Sequence, residues 1–315
     1  MNLKAFITTL FIVALFSVLQ AQSLKSAGKT YYEANDLLEK GDTLKAIENY
    51  KDCADMSAEL GELGECIKLK AETKICRLYL DEAAREFNKN NYDKSLQILD
   101  KAEVYASSLN DQDIASDVMK YKTQNYLGKG DQQYQRRKYK SAVEMYRAAL
   151  EIDPEFARAY FGLVLSYAKL DETDKMEEAE KKVSQYSNER DLKEQARSAV
   201  ASYYKKACKE ALDDEKYNIV TMMATRSLVY ENNDPEVYYY FARASNMKED
   251  WTTAEKAASR AIALGGDGLM DYYYELGRAY DGSGNTIKAC EAYSKITKGQ
   301  YQLLARNRLL DLNCQ

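Results

Sequence analysis

The 315-residue chain contains no histidine. That absence removes Ser-His-Asp and Cys-His nucleophile systems, His-ligated zinc and iron, and the usual general base near neutral pH. Only carboxylate, Lys, Tyr or Cys chemistry stays open. Glycine and proline are scarce: 14 Gly and 2 Pro make about 5% of 315 residues, against about 12% in average usage. Both interrupt helices, so the shortage predicts a mostly helical protein. An excess of positive charge is also missing, with 45 Lys+Arg against 50 Asp+Glu and a net charge of −5. A general nucleic-acid binder carries a net basic field, so no nucleic acid is expected as a partner. Phosphate-cradling Gly-rich loops, CxxC redox pairs and carboxylate-rich calcium loops are absent. Asp111-Gln112-Asp113 lacks the following ligands and glycine of such a calcium loop. No catalytic residue, no metal and no cofactor is expected, and the chain reads as a non-enzyme.

Apolar residues at 45% suffice for a core, and charged residues at 30% suit a large solvated surface. The apolar residues begin with a run. Met1-Asn2-Leu3-Lys4 is a short, singly charged n-region, Ala5 to Leu19 is apolar, and Gln20-Ala21-Gln22-Ser23 is polar with a small residue. This is the plan of a secretory signal peptide over residues 1–21, with cleavage expected after Ala21. An uncleaved anchor is the alternative, although the run is short for a span of about 20 residues. No membrane span is expected after cleavage. The expected destination is the bacterial periplasm, with secretion or envelope association as alternatives.

An oxidising compartment directs attention to the six cysteines. Cys53 and Cys66 flank Gly61, and a hairpin turned there predicts a disulfide. Cys290 and Cys314 are the second candidate pair, tying the last helix pair to the C-terminal tail. Cys76 and Cys208 read as small buried apolar residues.

The dominant signal is an internal frame of small and aromatic residues. It reads Tyr139-x2-Ala142-x3-Tyr146-x2-Ala149-x4-Pro154, then Trp251-x2-Ala254-x3-Ala258-x2-Ala261, then Thr286-x2-Ala289-x3-Tyr293-x2-Ile296. The same spacing carries Val220, Ser95 and Ala46, with a degraded copy at Met176. Successive frame positions 46, 95, 142, 176, 220, 254 and 289 lie 49, 47, 34, 44, 34 and 35 residues apart. Upstream of each lies a second helical stretch, clearest at Tyr273-x2-Leu276-Gly277-x2-Tyr280. Small residues at these positions let two helices approach, and aromatic residues fill the gap to the next unit. One unit cannot bury its apolar face alone, so units must stack.

The pattern resembles the tetratricopeptide repeat family over roughly residues 27–312. The resemblance implies an all-α, right-handed superhelical solenoid of helix-turn-helix repeats with a concave groove lined by the first helix of each unit. Units are expected over 22–183, with two extended ones, and over 201–315 with a capping helix; a hinge is expected at 184–200, where the pattern weakens. The resemblance also implies that the fifth and ninth positions of the first helix face the groove. The fifth are Tyr31, Phe161, Lys205, Tyr239 and Tyr274, and the ninth in the last three repeats are Lys209, Arg243 and Arg278. Arginine there could grip carboxylates while tyrosine supplies contact area. Tyr239 and Tyr274 stand where the family's carboxylate clamp wants lysine, so that clamp does not transfer.

Tyrosine is abundant, at 27 residues. Most serve repeat packing, while a minority stacking on sugars would make the protein a glycan binder. Gly266-Asp267-Gly268-Leu269-Met270 resembles the Gly-Leu-Met piece of lytic transglycosylases. No Glu-Ser motif precedes it and it falls between repeats, so it reads as linker. The sequence thus points to an exported scaffold that captures a protein or peptide of the cell envelope in its groove, with glycan binding as the alternative.

Overall fold

The computed structural model describes residues 3–314, with side chains at Leu15 and from residue 17 to 314. Met1 and Asn2 of the expected n-region lie outside the described residues. Fifteen α-helices and no strand occur among the described residues, so the all-α expectation holds. The chain divides into two compact units, residues 1–159 and 160–315.

The first unit holds α1 (Leu3–Glu39), α2 (Thr43–Ala58), α3 (Glu65–Asn88), α4 (Tyr92–Leu109), α5 (Gln112–Gln135) and α6 (Tyr139–Ile152). The second holds most of α7 (Ala157–Leu170), followed by α8 (Thr173–Tyr186), α9 (Arg190–Asp213) and α10 (Tyr217–Tyr230). It continues through α11 (Pro235–Met247), α12 (Trp251–Leu264), α13 (Leu269–Gly282), α14 (Thr286–Ser294) and α15 (Gln302–Asp311). Inside each unit, helices pack on their chain neighbours, and the odd-numbered helices also touch one another, α3 on α5 and α11 on α13. Among the described residues no helix is long and apolar enough to cross a membrane. The expected cleavage point after Ala21 falls inside α1, whose backbone stays helical across it.

The frame read from sequence marks the buried stripe of every even-numbered helix. Ala46, Ser95, Ala142, Met176, Val220, Ala254 and Ala289 are all fully buried, including the degraded copy at Met176. Four residues on, Tyr50, Leu99, Tyr146, Glu180, Ala224, Ala258 and Tyr293 are buried as well. These residues sit one helical turn apart, which is the spacing that puts them on one face.

The turn inside each pair is also repeated. Five residues before each frame position stands a residue with left-handed backbone: Gly41, Asn90, Arg137, Asp171, Glu215, Glu249 and Gly284. The next N–H reaches back to the carbonyl five residues earlier, as in Asn91 to Glu86 at 3.0 Å and Asn285 to Tyr280 at 2.8 Å. This is a Schellman closure, which satisfies carbonyls the helix end leaves open. Asn313 repeats it, with Cys314 N–H bonded to Leu309 O at 2.9 Å, so α15 begins a further half-unit.

Unequal separations have one cause. α3, α5 and α9 have 24 residues each, whereas α7, α11 and α13 have 14, 13 and 14. Ten extra residues add about 15 Å of helix at 1.5 Å per residue. The extra length therefore lies in α3, α5 and α9, in both units. Residues 187–189 form a short link between α8 and α9.

Close approach within a pair depends on glycine at two places. A Cβ on Gly130 would stand 2.5 Å from Tyr146 Cε1, and one on Gly277 would stand 2.5 Å from Tyr293 Cε1. At the equivalent place, Ala34, Ala83 and Ala242 are fully buried.

Cys290 and Cys314 form a disulfide with Cα atoms 5.6 Å apart. The expected Cys53–Cys66 bond is not formed. A 3-10 turn at Gly61–Leu63 separates α2 from α3, so the two thiols do not meet at one height. Cys53 is buried and donates to Ala27 O on α1 at 3.3 Å, while Cys66 is exposed. Cys76 and Cys208 are buried, and burial pushes the Cys76 thiol up to about 11.

Candidate groove site

The eight groove residues chosen from sequence separate into three groups. Tyr31 lies in the first unit, half-buried on α1 and edge-on to Tyr50 at 5.4 Å, where it serves packing. Phe161 is half-buried on α7, and Lys209 is exposed on α9. The other five gather on α9, α11 and α13 of the second unit, around two cavities.

The first cavity, of about 430 Å³, is lined by Arg243 from α11 and by Tyr274 and Arg278 from α13, together with Met247, Tyr301 and the carboxylates Asp213, Glu215 and Glu275. Arg243 Nη1 donates to the Tyr239 hydroxyl at 3.2 Å. Among the ion pairs of the described residues, none involves Arg243. Arg278 reaches Glu275 Oε2 at 3.2 Å and Met247 Sδ at 3.3 Å. Arg243 therefore carries the less compensated charge.

Glu275 lies beneath Arg278 and is 0% exposed. Asn246 Nδ2 donates to its Oε2 at 2.8 Å and to its backbone carbonyl at 2.8 Å. Burial pushes its carboxyl above the ordinary range, against the pull of Arg278, Asn246 and Arg243. Glu275 Oε1 and Asn246 Oδ1 are buried with no hydrogen-bond partner, so this network is incompletely satisfied.

A second cavity, of about 580 Å³, takes Lys205 and Tyr239, but its other walls include Asp234, Glu236, Asp267 and Asp271. Lys205 is neutralised there, with Asp234 at 2.8 Å and Glu236 at 2.7 Å. Hydrogen bonds from Lys205 and Tyr240 hold the Glu236 carboxyl below its ordinary range. The cations at these positions thus face carboxylates in both cavities, Asp234 and Glu236 beside Lys205, and Asp213, Glu215 and Glu275 beside Arg243 and Arg278.

Sequence reading missed Tyr301 altogether. It precedes α15, and its ring lies flat on Tyr274 with centroids 4.1 Å apart and planes 4° apart. Its hydroxyl stands 3.4 Å from that of Tyr239. No repeat position predicts it, because it falls after the last complete pair. Tyr239 itself is 8% exposed, more a wall than a free contact, and burial raises its hydroxyl above the ordinary range. Among the described residues no cluster of Cys and carboxylates could hold a metal ion.

Known proteins match this chain through its repeats. A family profile described as "TPR repeat" matches residues 130–171, and another described as "Tetratricopeptide repeat" matches residues 271–298. Tetratricopeptide repeat protein 1 of Schizosaccharomyces pombe is 27% identical over 177 residues, covering 54% of this chain. The match spans only 17% of that relative's length. Among solved structures, the chain is similar to YrrB, described as a TPR protein with an unusual peptide-binding site. Identity is 18%, covering 55% of this chain and 83% of that one, with a TM-score of 0.35. It is also similar to a MamA structure from Desulfovibrio magneticus RS-1, 15% identical over 56% of this chain and 93% of that one, with a TM-score of 0.35.

Proposed function

We propose that the chain, whose residues 130–171 and 271–298 match tetratricopeptide-repeat models, is an exported scaffold whose second unit holds a peptide segment of a cell-envelope partner. Repeats of this kind generally mediate protein–protein interaction rather than catalysis. One observation carries the reading to a place on the surface. Arg243, Tyr274 and Arg278, from two successive first helices, line one cavity, and Arg243 has no ion pair among the described residues. A guanidinium of this kind offers two parallel donors to an incoming carboxylate, and aromatic walls add contact area at low entropic cost. Export is supported by the n-region and apolar run that open the sequence and by the Cys290–Cys314 disulfide, a bond that persists in oxidising compartments.

Glycan capture by groove tyrosines is less favoured, because one face of Tyr274 is covered by Tyr301 and Tyr239 is buried. In-cell crosslinking of the exported protein, with mass spectrometry of what co-purifies, tests the reading. One enriched envelope protein, lost in Arg243→Gln while the melt stays unchanged, is the expected result. An enriched partner retained by Arg243→Gln would move the site elsewhere.

A further inference from the structure

The second cavity of this unit, of about 580 Å³, is acidic. Glu231, Asp234, Glu236, Asp267 and Asp271 line it, and Lys205 is the only cation on its wall among the described residues. These carboxylates are not equally engaged. Asp234 Oδ1 caps α11 by accepting from the N–H groups of Glu236 and Val237, at 2.9 and 3.3 Å, and its Oδ2 holds Lys205. Glu236 gives one oxygen to the Tyr240 hydroxyl and the other to Lys205, while Lys209 pulls on it from outside the wall. Asp271 gives one oxygen to the Gln300 amide at 3.1 Å. Among the described residues, the Glu231 and Asp267 carboxylates have neither a hydrogen bond nor an ion pair. Arg197, which shares a neighbouring cavity with Glu231, is committed to the Val229 and Tyr230 carbonyls, each at 3.0 Å.

The same wall holds a buried phenol with nothing to bond. Tyr272 is 5% exposed, and its hydroxyl has no hydrogen-bond partner among the described residues. It stands against the loop 265–268, which lines the cavity with it: a Cβ on Gly268 would lie 2.7 Å from that hydroxyl, and one on Gly266 would lie 3.7 Å from it. Glycine at 268 is therefore what lets the hydroxyl occupy this place. Burial raises the hydroxyl above its ordinary range; Glu236, Asp234 and Asp271 add to the rise and Lys205 opposes it. A polar group so placed is ordinarily satisfied in a folded protein.

We propose that this cavity takes a lysine side chain of the partner peptide, whose ammonium is drawn in by the free carboxylates and donates to the Tyr272 hydroxyl. This rests on the reading that the second unit holds a peptide, and adds a basic anchor apart from Arg243 and Arg278. Carboxylates outnumber the single lysine on the wall, and a concave surface of one sign focuses its field on an incoming cation. Lys205 already shows the local preference, with its ammonium 2.8 Å from Asp234 and 2.7 Å from Glu236. An ammonium is compact and carries three donors, and the Tyr239 and Tyr272 rings on the same wall suit a cation. A metal ion fits less well, since no cluster of ligands among the described residues could hold one.

The test uses the full chain and three probes: acetylated, amidated Ala-Ala-Lys-Ala-Ala, the same peptide with Glu in place of Lys, and spermidine. Binding is read by calorimetry and by the ring-proton shifts of Tyr272. The lysine peptide should bind and shift the Tyr272 ring, and the glutamate peptide should do neither. Glu231→Gln combined with Asp267→Asn should weaken the lysine peptide roughly tenfold, the loss that two partly exposed ion pairs can carry. Glu144→Gln combined with Glu151→Gln makes the same change in net charge at exposed positions of the first unit, and should leave affinity within about twofold. Tyr272→Phe keeps the ring and should weaken binding roughly threefold. Equal affinity for the two peptides, undiminished affinity in Glu231→Gln/Asp267→Asn or in Tyr272→Phe, or no binding of the lysine peptide with helical circular dichroism intact would each overturn the proposal. Spermidine that binds more tightly and displaces the lysine peptide would also overturn it, by making the occupant a small polyamine. The groove reading fails or stands separately, on the crosslinked partner and its loss in Arg243→Gln.

Discussion

The two units use the same scaffold and spend their groove positions differently. The ninth position of a first helix lies six residues before its left-handed turn residue, which makes Asn35 and Asp131 of the first unit the counterparts of Arg243 and Arg278 of the second. In the first unit these side chains serve packing. Tyr50 donates to Asn35 at 2.7 Å, and Tyr146 donates to Asp131 at 2.7 Å. In the second unit Arg243 and Arg278 bring cations to a cavity wall from this position, while Lys209 is exposed. A solenoid can thus keep its backbone period while converting a structural position into a recognising one, because the ninth position lies between the helix pair and open solvent.

Each unit also contains a buried glutamate, and these differ in completeness. Glu86 in the first unit receives Asn91, Lys89 and Lys94, at 2.8, 3.0 and 3.2 Å. Glu275 in the second has Asn246 and Arg278 on one oxygen and nothing on the other. The largest predicted effect follows. Arg278→Ala should destabilise the second unit by between about 3 and 5 kcal/mol at neutral pH, because it strands a buried carboxylate. Urea melts would measure the loss, and adding Glu275→Gln should restore most of it. Lys89→Gln should cost less than about 1 kcal/mol, since Lys94 and Asn91 still hold Glu86 and the lysine is exposed. Equal costs at the two sites would erase the distinction. Arg243→Gln is accordingly the cleaner probe of binding, as Arg243 makes no hydrogen bond to Glu275 and pulls on its charge less than Arg278 does.

A second contrast is covalent. The bond between Cys290 and Cys314 closes a loop of sequence separation 24, worth about 3 kcal/mol in the chain-entropy account. Reduction should lower hydrogen-exchange protection in α14 and α15 and leave the first unit unchanged, as Cys53, Cys66 and Cys76 are free thiols. Loss of protection in α1–α6 on reduction would contradict this separation. A smaller effect is expected at the shared position itself. Asp131→Ala leaves the buried Tyr146 hydroxyl without its acceptor, at a cost of about 2 kcal/mol, read as a lowered melting temperature. Arg243→Gln, at the same repeat position, should move that temperature by less than a degree or two.

The frame was legible in sequence because helix packing imposes it directly: a small or aromatic residue every three or four positions is the buried stripe. Even Met176, where the pattern is worn, is fully buried. Turns were less legible. Arg137, Asp171, Glu215 and Glu249 adopt left-handed backbone without being glycine, since packing of both helices and the Schellman bond outweigh a modest local cost. The Cys53–Cys66 pair does not form because the chain around Gly61 is not a simple hairpin: a 3-10 turn intervenes. Tyr301 was invisible for a deeper reason. Its partner Tyr274 is 27 residues away, and only the path of the chain after α14 brings the rings together.

The finest contrast is in titration. Hydrogen bonds from Asn91, Lys89 and Lys94 hold the Glu86 carboxyl down at about 2, while burial lifts that of Glu275 above the ordinary range. An unfolded glutamate titrates near about 4.3, so the two act in opposite directions. Glu86 binds its proton less readily when folded, and its contribution is full above that unfolded value and is lost as pH falls towards about 2. Glu275 binds its proton more readily when folded; its contribution is full below the unfolded value and is lost as pH rises through the folded one. Mild acidification from neutrality should therefore strengthen the second unit through Glu275 and leave Glu86 untouched, whereas strong acid should weaken the first unit. Carboxyl-carbon NMR of the two side chains reads both midpoints. A Glu275 midpoint at or below that of Glu86 would show that the buried network is satisfied in solution, and would remove the asymmetry that makes Arg278 structural and leaves Arg243 free for a ligand.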